Sequence, residues 1–174
     1  MPISRRPASH RPARLCLSLA LLLGLALGGV CVGDSRAETG LPLPRFVSLG
    51  AAEVNLRTGP GSSYPIDWVY KRRHMPVEVI AEFDNWRKIR DWEGAVGWVH
   101  QNLLDGRRYA LVTSEDLLRS RPEPDASPVA RVMPGVVARL LACKPGWCRL
   151  EAGGHKGWIE RDRLWGVYPS ETFD

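Results

Sequence analysis

The chain has 174 residues and a formal net charge of +5, but the positive charge is concentrated at one end. Arg5, Arg6, Arg11, Arg14 and Arg36 stand against a single acid, Asp34, in residues 1–37, so residues 38–174 carry a formal charge of only about +1. That near-neutral remainder argues against a nucleic-acid partner, and its seven Trp among many Gly and Pro argue against disorder and against a helical bundle.

Residues 1–37 read as an export signal. The four leading arginines form a positive region, residues 15–27 form a 13-residue apolar stretch, and Ser35-Arg36-Ala37 sets small residues where a signal peptidase needs them, predicting cleavage after Ala37. The competing reading is an uncleaved anchor, because the uncharged run continues to Val32 and just reaches transmembrane length. Either way the rest of the chain is placed outside the cytoplasm, periplasmic or secreted. Val30 before Cys31 does not suit lipid attachment at that cysteine. Cys16 and Cys31 leave with the signal, and Cys143 and Cys148 remain in an oxidising compartment, where a C-x4-C pair reads as a disulfide.

The remainder repeats itself. Val54-Asn55-Leu56-Arg57-Thr58 matches Asp116-Leu117-Leu118-Arg119-Ser120, Pro60 matches Pro122, Trp86 matches Trp147, and Gly97-Trp98-Val99 matches Gly157-Trp158-Ile159. Two units, residues 46–106 and 109–166, are expected as tandem small domains joined by Arg107-Arg108; two copies are too few for a solenoid. Within each unit the pattern is one of short strands broken by turns. Residues 75–83 alternate, with Val77, Val79 and Ala81 on one face and Glu78 and Glu82 on the other. Asp84-Asn85 predicts a hairpin, Asp91-Trp92-Glu93-Gly94 a second turn, and residues 101–104 a single helical turn. In the second unit Lys144-Pro145-Gly146 is the hairpin turn, flanked by the two cysteines. This spacing predicts an all-β barrel or sandwich. Units this small bury little surface alone, so the two are expected to share an interface.

The run Val54-Asn55-Leu56-Arg57-Thr58-Gly59-Pro60-Gly61-Ser62-Ser63-Tyr64, followed by Trp86-Arg87-Lys88-Ile89 and Gly97-Trp98-Val99, resembles the motif series of bacterial SH3-like (SH3b) domains. The second unit is similar but degenerate, keeping Trp147-Cys148-Arg149-Leu150 and Gly157-Trp158-Ile159 while Leu117 replaces the asparagine. The resemblance implies two tandem SH3-like barrels, with Asn55, Arg57, Gly59, Pro60, Gly97, Trp98, Trp147, Gly157 and Trp158 as structural motif positions. It also implies recognition of cell-wall peptide or peptidoglycan in the envelope.

Candidate binding residues follow from composition and position. Arg57 reads either as a ligand contact or as a staple for the loop that follows it. Trp98 and Trp158, inside strands, read as core; Trp86 and Trp147, each opening a strand after a turn, suit core packing or half exposure. Tyr64 and Trp92 lie in a loop and a turn, and with Trp86, Arg72 and Arg73 they are the candidate lining of an aromatic, basic groove confined to the first unit. The basic run Lys71-Arg72-Arg73-His74 suits an acidic surface or simply a solvated loop.

No catalytic constellation is legible. His74, His100 and His155 are scattered, no H-E-x-x-H or G-x-S-x-G occurs, and paired cysteines leave no thiolate nucleophile. The expectation is a non-catalytic binding module with no cofactor and no metal. Its partner would be cell-wall peptide or peptidoglycan, or alternatively an envelope protein that it joins as an adaptor. Membrane contact is expected only through a retained signal.

Overall fold

The computed structural model describes residues 39–174. The export signal, its cleavage point at Ala37 and the alternative anchor lie outside the described residues.

The first unit is built from β1 (Arg45–Leu49), β2 (Val54–Arg57), β3 (Ile66–Tyr70), β4 (Pro76–Phe83), β5 (Trp86–Arg90), β6 (Val96–His100) and β7 (Leu104–Asp105). The second repeats the series with β8 (Tyr109–Val112), β9 (Asp116–Arg119), β10 (Pro128–Val132), β11 (Val137–Lys144), β12 (Trp147–Ala152), β13 (His155–Glu160) and β14 (Leu164–Trp165). Each series forms one antiparallel sheet, ordered β3-β2-β6-β5-β4-β1-β7 and β10-β9-β13-β12-β11-β8-β14, curled into a small barrel. The only helical structure among the described residues is a 3₁₀ turn before each last strand, Gln101–Leu103 and Arg161–Arg163. The all-β expectation holds.

Alternation explains the inner faces. Val54 and Leu56 of β2, Ile89 of β5 and Val99 of β6 are buried, and Leu118, Leu150 and Ile159 fill the same places in the second barrel. The same alternation corrects the reading of the tryptophans in the Gly-Trp motif. Trp98 and Trp158 are half-buried on the outer face, because the inward position of that strand belongs to Gly97 and Gly157. A Cβ at Gly97 would stand 2.6 Å from Leu56 Cγ and 2.8 Å from the Arg57 carbonyl oxygen; at Gly157 it would stand 2.7 Å from Leu118 Cβ. Glycine lets β2 and β9 close over β6 and β13, and the adjacent tryptophan therefore points away from the core.

Strand β4 departs from simple alternation. Val79 faces Ile89, but the next pair is Ala81 with Lys88, so Ile80 is an extra residue that shifts the register. A bulge reverses the side-chain parity beyond it. Ala81 therefore joins the outer row, and Glu82 turns inward opposite Arg87, contrary to the expected faces. The second barrel carries its bulge in the same place, between Leu140 and Ala142, and there Cys143 stands opposite Cys148. The Glu82–Arg87 ion pair (3.3 Å) and the Cys143–Cys148 disulfide thus occupy equivalent cross-strand positions.

A flanking segment closes each barrel at that point. The Thr39 amide and hydroxyl donate to Glu82, and Arg45 pairs with it at 2.5 Å. In the second barrel Phe173 exchanges backbone hydrogen bonds with Cys143 (2.8 and 3.1 Å). Burial pushes the Glu82 carboxyl up, but the hydrogen bonds from Arg45 and Thr39 outweigh it and hold the group below its ordinary value. The cysteines are five residues apart, a short loop, so replacing both with serine should cost about 2 kcal/mol, the low end for a disulfide. Urea unfolding of the double variant measures it.

The barrels share an interface, as their small size requires. The core of the first includes Leu111 from β8 and is packed by Val137 and Trp165 of the second. Phe46 meets Trp165 edge-on (5.2 Å between centroids) and Tyr168 at 4.7 Å. Glu78, on the face opposite Val77 and Val79, is also buried: Tyr168 covers it and donates its hydroxyl at 2.9 Å, and Arg90 pairs with it at 2.5 Å. The C-terminal tail is held by Arg108, which binds the Glu171 carboxylate and the Gly166 carbonyl, and by buried Arg161, which donates to the carbonyls of Lys144, Tyr168, Pro169 and Glu171.

His74 stacks on Tyr109 at this junction (4.3 Å, 9° between planes). Burial, with Arg73 and Arg107 nearby and Asp105 opposing them, holds its imidazole below the ordinary 6.5. A group that resists protonation only when folded contributes stability above its unfolded pKa and loses it on acidification. Stability should therefore fall first below pH 6.5. It should fall again below pH 4.5, where Glu82 and Glu171, both depressed in the fold, take up protons. His74→Asn, which tolerates the positive φ of 66° at that position, should flatten the first stage and leave the second. Urea titrations at a series of pH values separate the two.

Candidate functional site

The motif residues of the first barrel meet on its outer face. Arg57 of β2 lies opposite Trp98 of β6, which lies opposite Lys88 of β5; one step along, His100 lies opposite Trp86. Asn55, Arg57, Ser62, Trp86, His100 and Leu103 line a concavity of about 250 Å³. The Trp86 and His100 rings meet at right angles, 5.4 Å apart. His100 Nδ1 accepts the Asn102 amide at 3.3 Å, which leaves Nε2 as the donor of the neutral ring.

Buried polar contacts hold these groups in place. The Arg87 guanidinium donates to the Asp84 and Trp86 carbonyls (2.8 and 2.9 Å) and to Gln101 Oε1. Gln101 in turn binds Asn85 through its amide and side chain. The hairpin tip and the 3₁₀ turn are thereby locked together beneath Trp86 and His100. Arg57 Nη1 donates to the Tyr64 carbonyl at 2.6 Å and Arg119 repeats the bond to Ala126, so the loop-staple role of this arginine is present in both barrels. Arg57 also remains part of the concavity wall. The site combines hydrogen-bond donors from Asn55, Arg57 and His100 with an aromatic wall, a lining suited to the carbonyls and carboxylates of a short peptide.

The residues expected to form the groove are distributed differently. Trp86 lines the concavity. Tyr64 is 46% exposed and lays its ring against Gly59 and Gly61. Trp92, also 46% exposed, sits in the turn after β5, beside the Asp91 that accepts from Tyr70. Arg72 and Arg73 are exposed in the β3–β4 loop, next to His74 and the junction. None of these four lines the concavity around Trp86. His100 escaped the sequence reading; counting the β5–β6 register back across the 91–95 turn would have placed it opposite Trp86. Trp68 also escaped it, and at 58% is the most exposed of the large apolar side chains among the described residues. No cluster of three or more His, Cys, Asp or Glu side chains suited to a metal occurs among the described residues.

Two tandem β-barrels of this topology, each with a Gly-Trp strand closed under an Asn/Leu-x-Arg strand, define a chain of paired SH3-like domains. The chain belongs to the bacterial SH3 domain family, whose model matches residues 50–106 and 113–166. It is similar to "Putative N-acetylmuramoyl-L-alanine amidase YrvJ" of Bacillus subtilis (strain 168), 26% identical over 140 residues that cover 68% of this chain and 27% of that protein. Among solved structures it is similar to NlpC2 from Trichomonas vaginalis (14% identity, TM-score 0.35, 75% of this chain and 51% of that one). An NlpC/P60 family protein from Bacillus cereus ATCC 10987 is similar too (15% identity, TM-score 0.33, 69% and 55%). The chain thus spans about a quarter of the curated relative and about half of each structure.

Proposed function

We propose that this protein is a non-catalytic, exported binding module of the cell envelope that recognises cell-wall peptide through its first barrel. The observation that carries the reading is the convergence of Asn55, Arg57, Trp86 and His100 on one concavity. Membership of the bacterial SH3 family and the likeness to a protein named as a wall amidase support the choice of ligand.

Purified peptidoglycan should pellet the protein. Asn55→Ala combined with Trp86→Ala should weaken pelleting about tenfold, as loss of a central aromatic contact does, while Glu53→Ala, on an exposed turn, should not. Unchanged pelleting by a folded double variant would remove the concavity from the proposal. Tyr64→Ala with Trp92→Ala tests whether the ligand extends along the barrel. Release of soluble wall fragments during the incubation would overturn the non-catalytic part.

The adaptor reading is favoured by a different feature. Edge strand β3 exposes Ile66 and Trp68, apolar surface of the kind a protein partner covers. Crosslinking in the envelope with a probe at the exposed neighbour Asp67 tests it, and a single captured protein whose capture is abolished by adding Trp68→Ser would support it.

A further inference from the structure

The second barrel lacks the asparagine and the histidine of the first, yet it has the larger cavity. We propose that this cavity, about 610 Å³ beside Trp147, is a separate site for a primary ammonium group on a short aliphatic stem, as in a lysine-type side chain of a peptide.

The place is equivalent to the concavity of the first barrel, and the chemistry is inverted. Trp147 pairs with Glu160 across β12 and β13 as Trp86 pairs with His100 across β5 and β6. Pro124 takes the loop position of Ser62. An imidazole and a hydroxyl are thus replaced by a carboxylate and an apolar ring. Asp162 adds a second carboxylate from the 3₁₀ turn, and Val167 and Pro169 of the C-terminal tail supply an apolar wall. The first barrel has no counterpart to that wall. Arg161 builds it: its guanidinium is occupied by four tail and hairpin carbonyls.

The two carboxylates are held only by a loose ion pair with Arg163. Their side chains are 42% and 72% exposed, and Arg163 lies 3.6 Å from each. Among the described residues neither accepts a hydrogen bond. A ligand ammonium between them would gain short charge-assisted bonds that Arg163 does not make. The face of a tryptophan beside two carboxylates attracts a cation further, and the apolar wall suits the methylenes behind it. Only residues of the second barrel line this cavity, so its occupancy is independent of binding at the first.

The test uses the full chain, labelled with ¹⁵N, with the Trp147 indole resonance identified by Trp147→Phe. Nα-acetyl-lysine methylamide should shift that resonance saturably, and the same molecule acetylated at Nε, identical but uncharged, should bind about tenfold more weakly. Glu160→Gln, at a half-buried position, and Asp162→Asn, at an exposed one, should each weaken the charged probe about threefold, with Trp86 unaffected. Equal binding of the two probes, undiminished binding in both carboxylate variants, or no saturable shift at Trp147 would each overturn the assignment.

Discussion

Gly97→Ala is expected to destabilise the protein by about 2 kcal/mol or more, although it adds one methyl group and is often a stabilising change in a strand. The new Cβ would stand 2.6 Å from Leu56 Cγ and 2.8 Å from the Arg57 carbonyl oxygen. The side chain could yield by changing rotamer, but Leu56 is wholly buried, and the carbonyl is backbone. Relief therefore requires β2 to lift from β6, which would also displace Arg57 from the concavity. Gly106→Ala is the matched control: nothing lies within 4 Å of its Cβ position, so it should stay within about 0.5 kcal/mol of the parent. Urea unfolding of the two variants measures both. If the proposed wall binding is real, Gly97→Ala should weaken pelleting with peptidoglycan even at temperatures where the variant remains folded, whereas Gly106→Ala should not.

Phe46→Ala should cost about 3 kcal/mol, the usual loss for a buried aromatic ring, and its effect should cross from one barrel to the other. The ring belongs to β1 of the first barrel, but its aromatic neighbours, Trp165 and Tyr168, and the Arg108 guanidinium 5.9 Å away belong to the second unit and the joining segment. Removing it also loosens the lid that Tyr168 places over the Glu78–Arg90 pair. An ion pair opened to water on one side loses much of its contribution. Hydrogen exchange should show lost protection both in β4 and in β8 and β14. Loss confined to the first barrel would mean that the interface contributes little to the stability of the second.

Several features are legible in the sequence because they are local. The Asp84-Asn85 hairpin, the cysteines flanking the second hairpin and the repeated Gly-Trp strands each depend on residues close together in sequence. In Asn55-Leu56-Arg57 the same alternation puts Leu56 inside and its two polar neighbours outside. Where one more residue entered a strand, the same logic failed. Ile80 looks like any other β-branched strand residue, and nothing in its neighbours announces that it bulges and turns Glu82 toward Arg87. Trp98 was misread for a related reason. A large aromatic ring in a strand suggests core, but the inward position had been given to a glycine so that another strand could approach.

Short-range pattern, then, determined the all-β class, the two barrels, the cysteine pair and the family motifs, because turns and alternation are set within a few residues. Only the tertiary structure decided which outward residues share a surface. Trp86 meets His100 across a turn, and Glu78 is buried by Tyr168, ninety residues further along the chain. The cavity beside Trp147 exists because a tail held by Arg161 forms its third wall. Such juxtapositions depend on strand register and on contacts between distant segments, and no window along the sequence contains both partners.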